Sequence, residues 1–261
     1  MSIADDRGRA GGRLLLDGAG KPLVRFTAVE RDGRQTADLL ELEDGVSLEA
    51  AARAIRTDLA GWRVAVGVDV GEVLIATGAQ PRRDVHVMSR DLVRDPPDPG
   101  WLEPGAPAGL RLAPADRPAV DLAPACAAAY PPDHPDIAHM PRPERPEISL
   151  EALLSGQEMG PLLRASGLAV DAEGAVVGAI LVCATGGEPP LGGPWVAQIF
   201  RDPHARGAGG ALLRRALGIA GRDGLPALGL AVTHGNRARS LYAAHGFTEV
   251  LRSITVEVPQ A

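Results

Sequence analysis

The first third of the chain alternates apolar and polar residues with the periods of strands and helices. Trp62, Val64 and Val66 alternate with polar or small residues, as in a half-buried strand. Leu48, Ala52 and Ile55 recur at helical spacing behind Ser47, a plausible N-cap. The pattern predicts two strands, a helix, a strand, a short helix and a strand, over residues 22–30, 36–43, 47–61, 62–70, 71–78 and 84–89.

The rest of the chain shows a longer series of the same kinds of element. Between its first helix and the next lies a Pro-rich stretch, residues 131–147, which predicts a loop because proline interrupts both helix and sheet. The predicted elements are a strand at 109–113, helices at 119–130 and 149–163, a hairpin at 167–182, a strand at 194–200, a helix opened by Gly207–Gly210, a strand at 226–232, a helix at 237–247 and a strand at 252–258.

Proline and glycine are concentrated in residues 95–107, which predict an extended linker. We therefore expect a smaller lobe over residues 1–94 and a larger domain over 108–261. The two parts end alike, each with a strand, a helix, a glycine cap and a strand. This favours a weak internal duplication, although unrelated βαβ segments often look similar.

Composition narrows the possible functions. The chain has 261 residues, with 27 Lys and Arg against 33 Asp and Glu, for a net charge of −6. An acidic chain is a poor general nucleic-acid binder. Two cysteines cannot form a disulfide framework or an all-cysteine zinc site, and we expect no bound metal. The sequence has no apolar signal core and no apolar run long enough to span a bilayer, so we expect a cytoplasmic protein without a membrane partner.

The segment RDPHARGAGGALLRRAL, residues 201–217, combines three glycines with the start of an apolar helix. A helix N-terminus carries unpaired N–H groups and partial positive charge, and glycines let an anion approach the backbone. The segment lacks the Gly-Lys-Ser/Thr end of a Walker A loop. It also lacks the third small residue of a dinucleotide fingerprint, because Leu212 stands there. A flexible connector is the alternative interpretation.

Two motifs resemble those of the GNAT N-acetyltransferase superfamily. Arg206, Gly209 and Ala211 match its pyrophosphate motif, Arg/Gln-x-x-Gly-x-Gly/Ala. Residues 236–247, NRARSLYAAHGF, resemble its Asn-x-x-Ala-x-x-Leu-Tyr-x-x-x-Gly-Phe signature, with one residue fewer between Asn and Ala. The resemblance covers roughly residues 108–261 and includes the order of the elements.

The resemblance implies an α/β fold, a mixed twisted sheet of the acyl-CoA N-acyltransferase type preceded by a smaller degenerate GNAT-like lobe. Two central strands would splay apart to admit acetyl-CoA. The cofactor-binding residues would be the strand Ile199, Phe200 and Arg201, then the loop Arg206, Gly207, Ala208, Gly209, Gly210 and Ala211, and finally Asn236. Asn236 would meet the pantetheine or cap its helix. Arg201 departs from the apolar residue usual in the family and could reach a phosphate or the acceptor.

Within the matched motif, Tyr242 is the candidate general acid. An amine that attacks a thioester expels a thiolate, and a tyrosine hydroxyl can protonate that sulfur as it leaves. A tyrosine that merely packs under its helix is the alternative interpretation. Gln198 stands where a carboxylate could have served as a base, and it cannot take a proton. The base would be a water chain or a group such as Asp133, His134 or Glu158, each of which could equally be a solvated surface residue.

The first lobe is expected to have lost this chemistry. Glu43 and Asp44 occupy the place of the phosphate loop, and Leu74 falls near the place of Tyr242. The sequence thus favours an acetyl-CoA-dependent N-acetyltransferase that acts on a primary amine, either a small molecule or a peptide. A non-catalytic acyl-CoA sensor with the same fold is the alternative. Neither the acceptor's identity nor the oligomeric state follows from the sequence.

Overall fold

A computed structural model of the chain describes residues 2–5, 12–31, 33–137 and 146–260. Part of the predicted Pro-rich loop, residues 138–145, lies outside the described residues. The chain divides into two compact units, Met1–His86 with Leu251–Ala261, and Val87–Val250.

The first unit is an antiparallel sheet with one parallel step, covered by two helices. Its elements are β1 (Ser2–Asp5), β2 (Gly12–Leu16), β3 (Pro22–Arg31), β4 (Arg34–Leu42), α1 (Leu48–Asp58), β5 (Arg63–Gly67), α2 (Val68–Ala76) and the start of β6 (Gln80–Asp91). The strand order is β1-β2-β3-β4-β5, followed by β12 (Thr248–Glu257). The second half of β12 runs antiparallel to β5, from Ser253 opposite Gly67 to Glu257 opposite Arg63.

The core of this unit forms where α1 covers the sheet. Ile55 and Leu59 are fully buried on the predicted apolar face of α1, together with Phe26 from β3. Each such side chain contributes about 1.5–3 kcal/mol on burial. Ser47 is the N-cap that the sequence predicts, because its Oγ accepts from the N–H of Ala50 at 3.2 Å.

The strand predicted over residues 62–70 is shorter in the structure than the alternating pattern of the sequence indicates. The strand ends at Gly67 and α2 begins at Val68. Val70 and Leu74 are buried four residues apart, so the apolar residues after Gly67 follow a helical period instead. Gly71 brings α2 close to the sheet, because a Cβ there would lie 3.0 Å from the Cβ of Ile254.

The second unit contains the remaining elements around a mixed sheet. They are a short 3₁₀ helix (Pro99–Leu102), β7 (Arg111–Pro114), α3 (Ala119–Ala129), α4 (Pro146–Leu154), β8 (Gly167–Val170), β9 (Val176–Ala184), β10 (Pro194–Arg201), α5 (Ala208–Arg222), β11 (Ala227–Thr233) and α6 (Ala238–Ala244). Its strand order is β6-β11-β10-β9-β8-β7. The β10–β11 step is parallel, and the β10–β9, β9–β8 and β8–β7 steps are antiparallel. The hairpin predicted at 167–182 is confirmed.

Residues 95–107, the predicted linker, pack within the second unit. A Cβ on Gly218 of α5 would lie 2.5 Å from the carbonyl carbon of Trp101, so helix and segment are in close contact. The guanidinium of Arg90 stacks on the Trp101 ring at 5.2 Å. The proline content of this segment predicts an extended linker. Its apolar residues Trp101 and Leu102, however, are stabilised by packing. The first unit ends at His86, and the chain re-enters it at Leu251. The boundary between the units therefore does not lie at residues 94/95.

The two units share one order of elements. The series β2, β3, β4, α1, β5, α2 has the same pairing as the series β8, β9, β10, α5, β11, α6, with two antiparallel steps followed by one parallel step. Both parallel steps are short, with two residue pairs each. Among the described residues, no helix is long and apolar enough to cross a membrane.

Candidate active site

The central strands of the second unit separate after a short stretch of pairing. β10 and β11 pair in parallel at Trp195–Gly229 and Val196–Leu230, although β10 continues to Arg201. A register shift between Val196 and Gln198 marks a bulge, which bends a strand away from its neighbour. On its other edge β10 stays paired with β9 as far as Arg201. Among the described strands, none pairs with the backbone edge of residues 199–201 that faces β11.

The glycine segment forms the turn between β10 and α5. Gly207 adopts φ +82°, a left-handed conformation that favours glycine, and α5 begins at the next residue. Within the described residues, no acceptor is paired with the N–H groups of Gly207, Gly209 or Gly210. These N–H groups stand at the positive end of a 15-residue helix, which is an arrangement that binds phosphate.

Arginines surround this turn in different ways. Arg206 is exposed, and within the described part of the chain no carboxylate pairs with it. Arg201 does not extend freely toward a ligand, because its Nη1 donates to the carbonyl oxygens of Asp202 and Pro203, each at 2.8 Å. In this arrangement Arg201 holds the shape of the turn, and its predicted phosphate contact would require these two bonds to break.

Helix α6, which carries Tyr242, contacts the turn through Leu241. Leu241 lies 4.0 Å from the Cβ position of Gly209 and 3.8 Å from that of Gly210. Tyr242 is 6% exposed and packs against Phe247 with ring centroids 6.1 Å apart. Burial, and then the negative charge of Asp136, raise the pKa of Tyr242 above its ordinary value. The Tyr242 hydroxyl thus holds its proton more firmly than an ordinary tyrosine does.

A second tyrosine lies in the same region. Tyr130 follows the last residue of α3, and its ring meets that of His134 edge to face at 5.0 Å. Burial raises its pKa most, the charges of Asp136 and Cys126 add to this, and a hydrogen bond with Gln198 opposes it. Gln198 also donates to the Cys126 sulfur at 3.6 Å. Gln198, at the β10 bulge, therefore connects the strand to α3.

Asn236 and Asp136 complete this group. Asn236 Oδ1 accepts from the Ala238 N–H at 2.9 Å, and its Nδ2 donates to Asp136 Oδ2 at 3.1 Å. Asn236 caps its helix, which is one of the two predicted roles. The sequence analysis missed Asp136 and Tyr130, although both flank the His134 that it considered. These two residues belong to the group because of the path by which the loop returns to the sheet. A local sequence pattern does not encode that path.

The three residues predicted as possible bases, Asp133, His134 and Glu158, differ in how they relate to this group. Asp133 is exposed, three residues before Asp136. Glu158 is exposed in the turns that follow α4, which ends at Leu154, so Glu158 is not on the helix predicted there. Its charge adds to the effect of burial in raising the pKa of Cys183. His134 contacts the group, with Nδ1 3.7 Å from Asp136 Oδ2. No cluster of potential metal ligands is found among the described residues.

The corresponding turn of the first unit has a different chemistry. Glu43 pairs with Arg25 at 3.1 Å, and the first turn of α1 is capped by Ser47. The parallel step of β4 and β5 is as short as that of β10 and β11, at Thr36–Arg63 and Ala37–Val64. The framework is thus repeated, while carboxylates stand near the helix start where an anion would bind.

Comparison with known proteins identifies the fold. The chain resembles a GCN5-related N-acetyltransferase from Sphaerobacter thermophilus, with 20% identity, 98% of this chain and 84% of that chain covered, and a TM-score of 0.61. A tandem GNAT protein from the clavulanic acid biosynthesis pathway matches with 19% identity, coverages of 96% and 83%, and a TM-score of 0.56. A GNAT-family acetyltransferase from Colwellia psychrerythraea matches at 12% identity, with coverages of 95% and 85% and a TM-score of 0.53. No protein-family profile and no curated protein matches the sequence.

The fold therefore defines the structural class of the protein. The chain has the mixed α/β fold of the GNAT N-acetyltransferases, as the two sequence motifs predicted. The solved structures match nearly the whole length of this chain, and the resemblance covers both of its units.

Proposed function

We propose that the chain is an acetyl-CoA-dependent N-acetyltransferase that transfers an acetyl group to a primary amine. The observation that carries this proposal is the position of Tyr242. Tyr242 is a buried residue of α6, the helix whose Leu241 contacts the turn of Gly209 and Gly210, and among the described residues no acceptor pairs with the N–H groups of these two glycines.

The proposed cofactor site has two parts. The N–H groups of Gly207, Gly209 and Gly210 would bind the pyrophosphate at the start of α5, with Arg206 available nearby. The open backbone edge of Ile199–Arg201 would pair with the pantetheine arm, as an added strand pairs with a sheet edge. In this arrangement the thioester end would lie toward α6.

In the proposed reaction the neutral amine attacks the thioester carbonyl carbon. The N–C bond forms, the C–S bond breaks, and the sulfur takes the proton of the Tyr242 hydroxyl. Water can remove the proton that the nitrogen loses, so Gln198 is not required as a base. Gln198 instead holds Tyr130 and Cys126 in place. The proposed acceptor is a small-molecule or peptide amine.

Acetyl-CoA binding by calorimetry, combined with release of free thiol during turnover, tests this proposal. The natural sequence should bind acetyl-CoA, and Tyr242→Phe should retain that binding while losing turnover. The absence of binding to the natural sequence would contradict the proposal. Gln198 contacts Tyr130 and Cys126, and β10 carries no carboxylate that could act as a base. This favours a second candidate function, an acyl-CoA sensor. A sensor would bind acetyl-CoA equally in both forms and release no thiol with any amine.

A further inference from the structure

Arg90 is a buried charged residue that the proposed reaction does not use. Its side chain is only 6% exposed. Nη1 donates to the carbonyl oxygen of His245 at 2.8 Å, Nη2 donates to that of Asp95 at 3.2 Å, and Nε lies 2.9 Å from Asp95 Oδ2. The centroid of the Trp101 ring lies 5.2 Å from the guanidinium carbon. A buried cation is costly unless it is paired, and these contacts together fix the guanidinium in one orientation.

The contact between Arg90 and His245 holds the end of α6. This helix has seven residues, Ala238–Ala244, and His245 is its C-cap. The last carbonyl groups of a helix have no partner within the helix, and Arg90 supplies a charged donor to the carbonyl of His245. The next residue, Gly246, has φ +81°, and a Cβ there would lie 2.7 Å from Asp95 Oδ2 and 3.0 Å from Arg90 Nε. The ion pair therefore packs directly against the turn that ends α6.

Tyr242 belongs to this last turn. Its carbonyl oxygen accepts from the N–H groups of His245 at 2.9 Å and of Phe247 at 3.2 Å. The ring of Phe247 also packs on that of Tyr242, with centroids 6.1 Å apart. A helix of seven residues has too few hydrogen bonds to keep its place by itself, so its position depends on what holds its two ends. Asn236 caps the start of α6, and Arg90 holds the end that carries Tyr242.

The partners that orient Arg90 belong to firmly packed parts of the same unit. The Asp95 N–H donates to the carbonyl oxygen of Asp91, the last residue of β6, at 3.0 Å. Trp101 is in close contact with Gly218 of α5, the helix that starts at the glycine turn. Arg90 therefore connects the end of α6, through Trp101, to the helix whose start is the proposed pyrophosphate site.

We propose that Arg90 is a positioning residue for the acetyl transfer, and that it sets the place of the Tyr242 hydroxyl by holding the last turn of α6. This inference rests on the proposed function and adds to it a residue that lies outside both sequence motifs. A general acid must lie within hydrogen-bond reach of the atom that it protonates, and a displacement of about 1 Å can cost roughly a hundredfold in rate. Arg90 should therefore affect kcat and not the binding of acetyl-CoA.

The test is a double-mutant cycle of Arg90→Lys with Tyr242→Phe in the full chain. Lysine keeps the positive charge but has no planar fork, so it cannot contact His245 and Asp95 in the same way. Arg94→Lys is the matched control, because it makes the same change at a side chain that is 89% exposed. Asp95→Ala is a milder second variant, since the Asp95 side chain is 60% exposed and pairs with the guanidinium.

Each variant is measured in three ways. Calorimetry gives the affinity for acetyl-CoA, and urea denaturation shows whether the variant is folded. Thiol release from acetyl-CoA gives kcat, with benzylamine, spermidine and glucosamine as acceptors.

We expect Arg90→Lys to lower kcat roughly ten- to hundredfold, while acetyl-CoA affinity stays within a few-fold of that of the natural sequence. Asp95→Ala should lower kcat roughly three- to tenfold, and Arg94→Lys should behave like the natural sequence. The Tyr242→Phe background has no hydroxyl left to position, so Arg90→Lys should change its residual rate by less than about threefold. A merely structural role would lower the rate by the same factor with and without the hydroxyl.

The outcomes separate this inference from the proposed function. If the natural sequence does not bind acetyl-CoA, or releases no thiol with these amines, the proposed function fails and the inference fails with it. If the natural sequence is active, equal factors for Arg90→Lys in the two backgrounds overturn the inference alone, and so does an unchanged kcat in Arg90→Lys. If Arg90→Lys shows no cooperative unfolding in urea, Asp95→Ala replaces it in the cycle, and the same comparison decides.

Discussion

The side-chain amide of Asn236 joins two functions that its sequence motif does not distinguish, because it caps α6 and also donates to Asp136 at 3.1 Å. The helix cap and the contact with Asp136 use opposite ends of the same amide group. Most substitutions of Asn236 therefore remove both interactions together. Serine is the exception, because its short hydroxyl can cap a helix but cannot reach a side chain from the loop.

Substitutions of Asn236 should therefore separate the cap from the contact with Asp136. Asn236→Ala should reduce the free energy of unfolding by about 0.5–2 kcal/mol, because it removes the cap. Asn236→Ser should lie within about 0.5 kcal/mol of the natural sequence, because serine can still cap the helix. Urea denaturation measures both variants. Equal losses in Asn236→Ala and Asn236→Ser would contradict the capping role.

A negative charge at the glycine turn should prevent acetyl-CoA binding. The Cβ position of Gly209 has 4.0 Å of clearance to Leu241, so Gly209→Ala fits without a clash. Gly209→Asp places a carboxylate where the pyrophosphate is proposed to bind, and we expect calorimetry to show at least roughly a tenfold loss of affinity. Gly209→Ala is the control and should retain affinity within a few-fold. Equal binding by both variants would place the cofactor elsewhere.

Removal of the Tyr242 hydroxyl should reduce kcat by roughly 10²–10⁴-fold with little change in acetyl-CoA affinity. The matched control is Tyr130→Phe, which removes a tyrosine hydroxyl from the same region and leaves the proposed acid intact. We expect the Tyr130 change to have a much smaller effect on kcat. Stopped assays of thiol release measure both variants. A larger effect from Tyr130→Phe would transfer the acid role to that residue.

Alkaline pH should destabilise the second unit through Cys126. Burial raises the pKa of its thiol from 9.0 to about 11, and the Gln198 hydrogen bond only partly opposes this. The unfolded chain therefore loses this proton at lower pH than the folded chain does. Between pH 9.0 and about 11, stability should fall with rising pH, by at most about 1.4 kcal/mol per pH unit from this group.

The variant Cys126→Ala isolates that contribution. Its unfolding free energy, measured by urea denaturation at several pH values, should fall less steeply than that of the natural sequence over the same range. Tyr130, Tyr242 and Cys183 add losses of the same sign in both proteins, since their pKa values are also raised. Parallel pH curves for the two proteins would show that the Cys126 thiol titrates normally.

The first unit should not bind acetyl-CoA. Its turn carries Glu43 and Asp44, and Ser47 already accepts from the first turn of α1. Calorimetry on the full chain should therefore give a stoichiometry of about one acetyl-CoA per chain, and Gly209→Asp should remove all of the binding heat. A second site, or residual binding in that variant, would contradict a degenerate first lobe.

The sequence by itself determined the features that depend on local chemistry. Alternating and helical periods predicted most strands and helices, Ser47 was identified as a cap, and Gly246 has the left-handed φ of +81° expected of a helix end. The glycine turn and the Tyr242 helix also follow from short motifs, because a helix start and its N–H groups involve few consecutive residues.

Only the tertiary structure decided which distant residues share a site and where the units divide. Asp136 and Asn236 are separated by 100 positions in the sequence, and their contact requires the Pro-rich loop to return to the start of α6. The last strand belongs partly to the first unit, because the backbone of β5 pairs with β12 across the whole intervening chain. Backbone pairing and loop return depend on long-range geometry, whereas hydrophobic periodicity reports only which face of each element is buried.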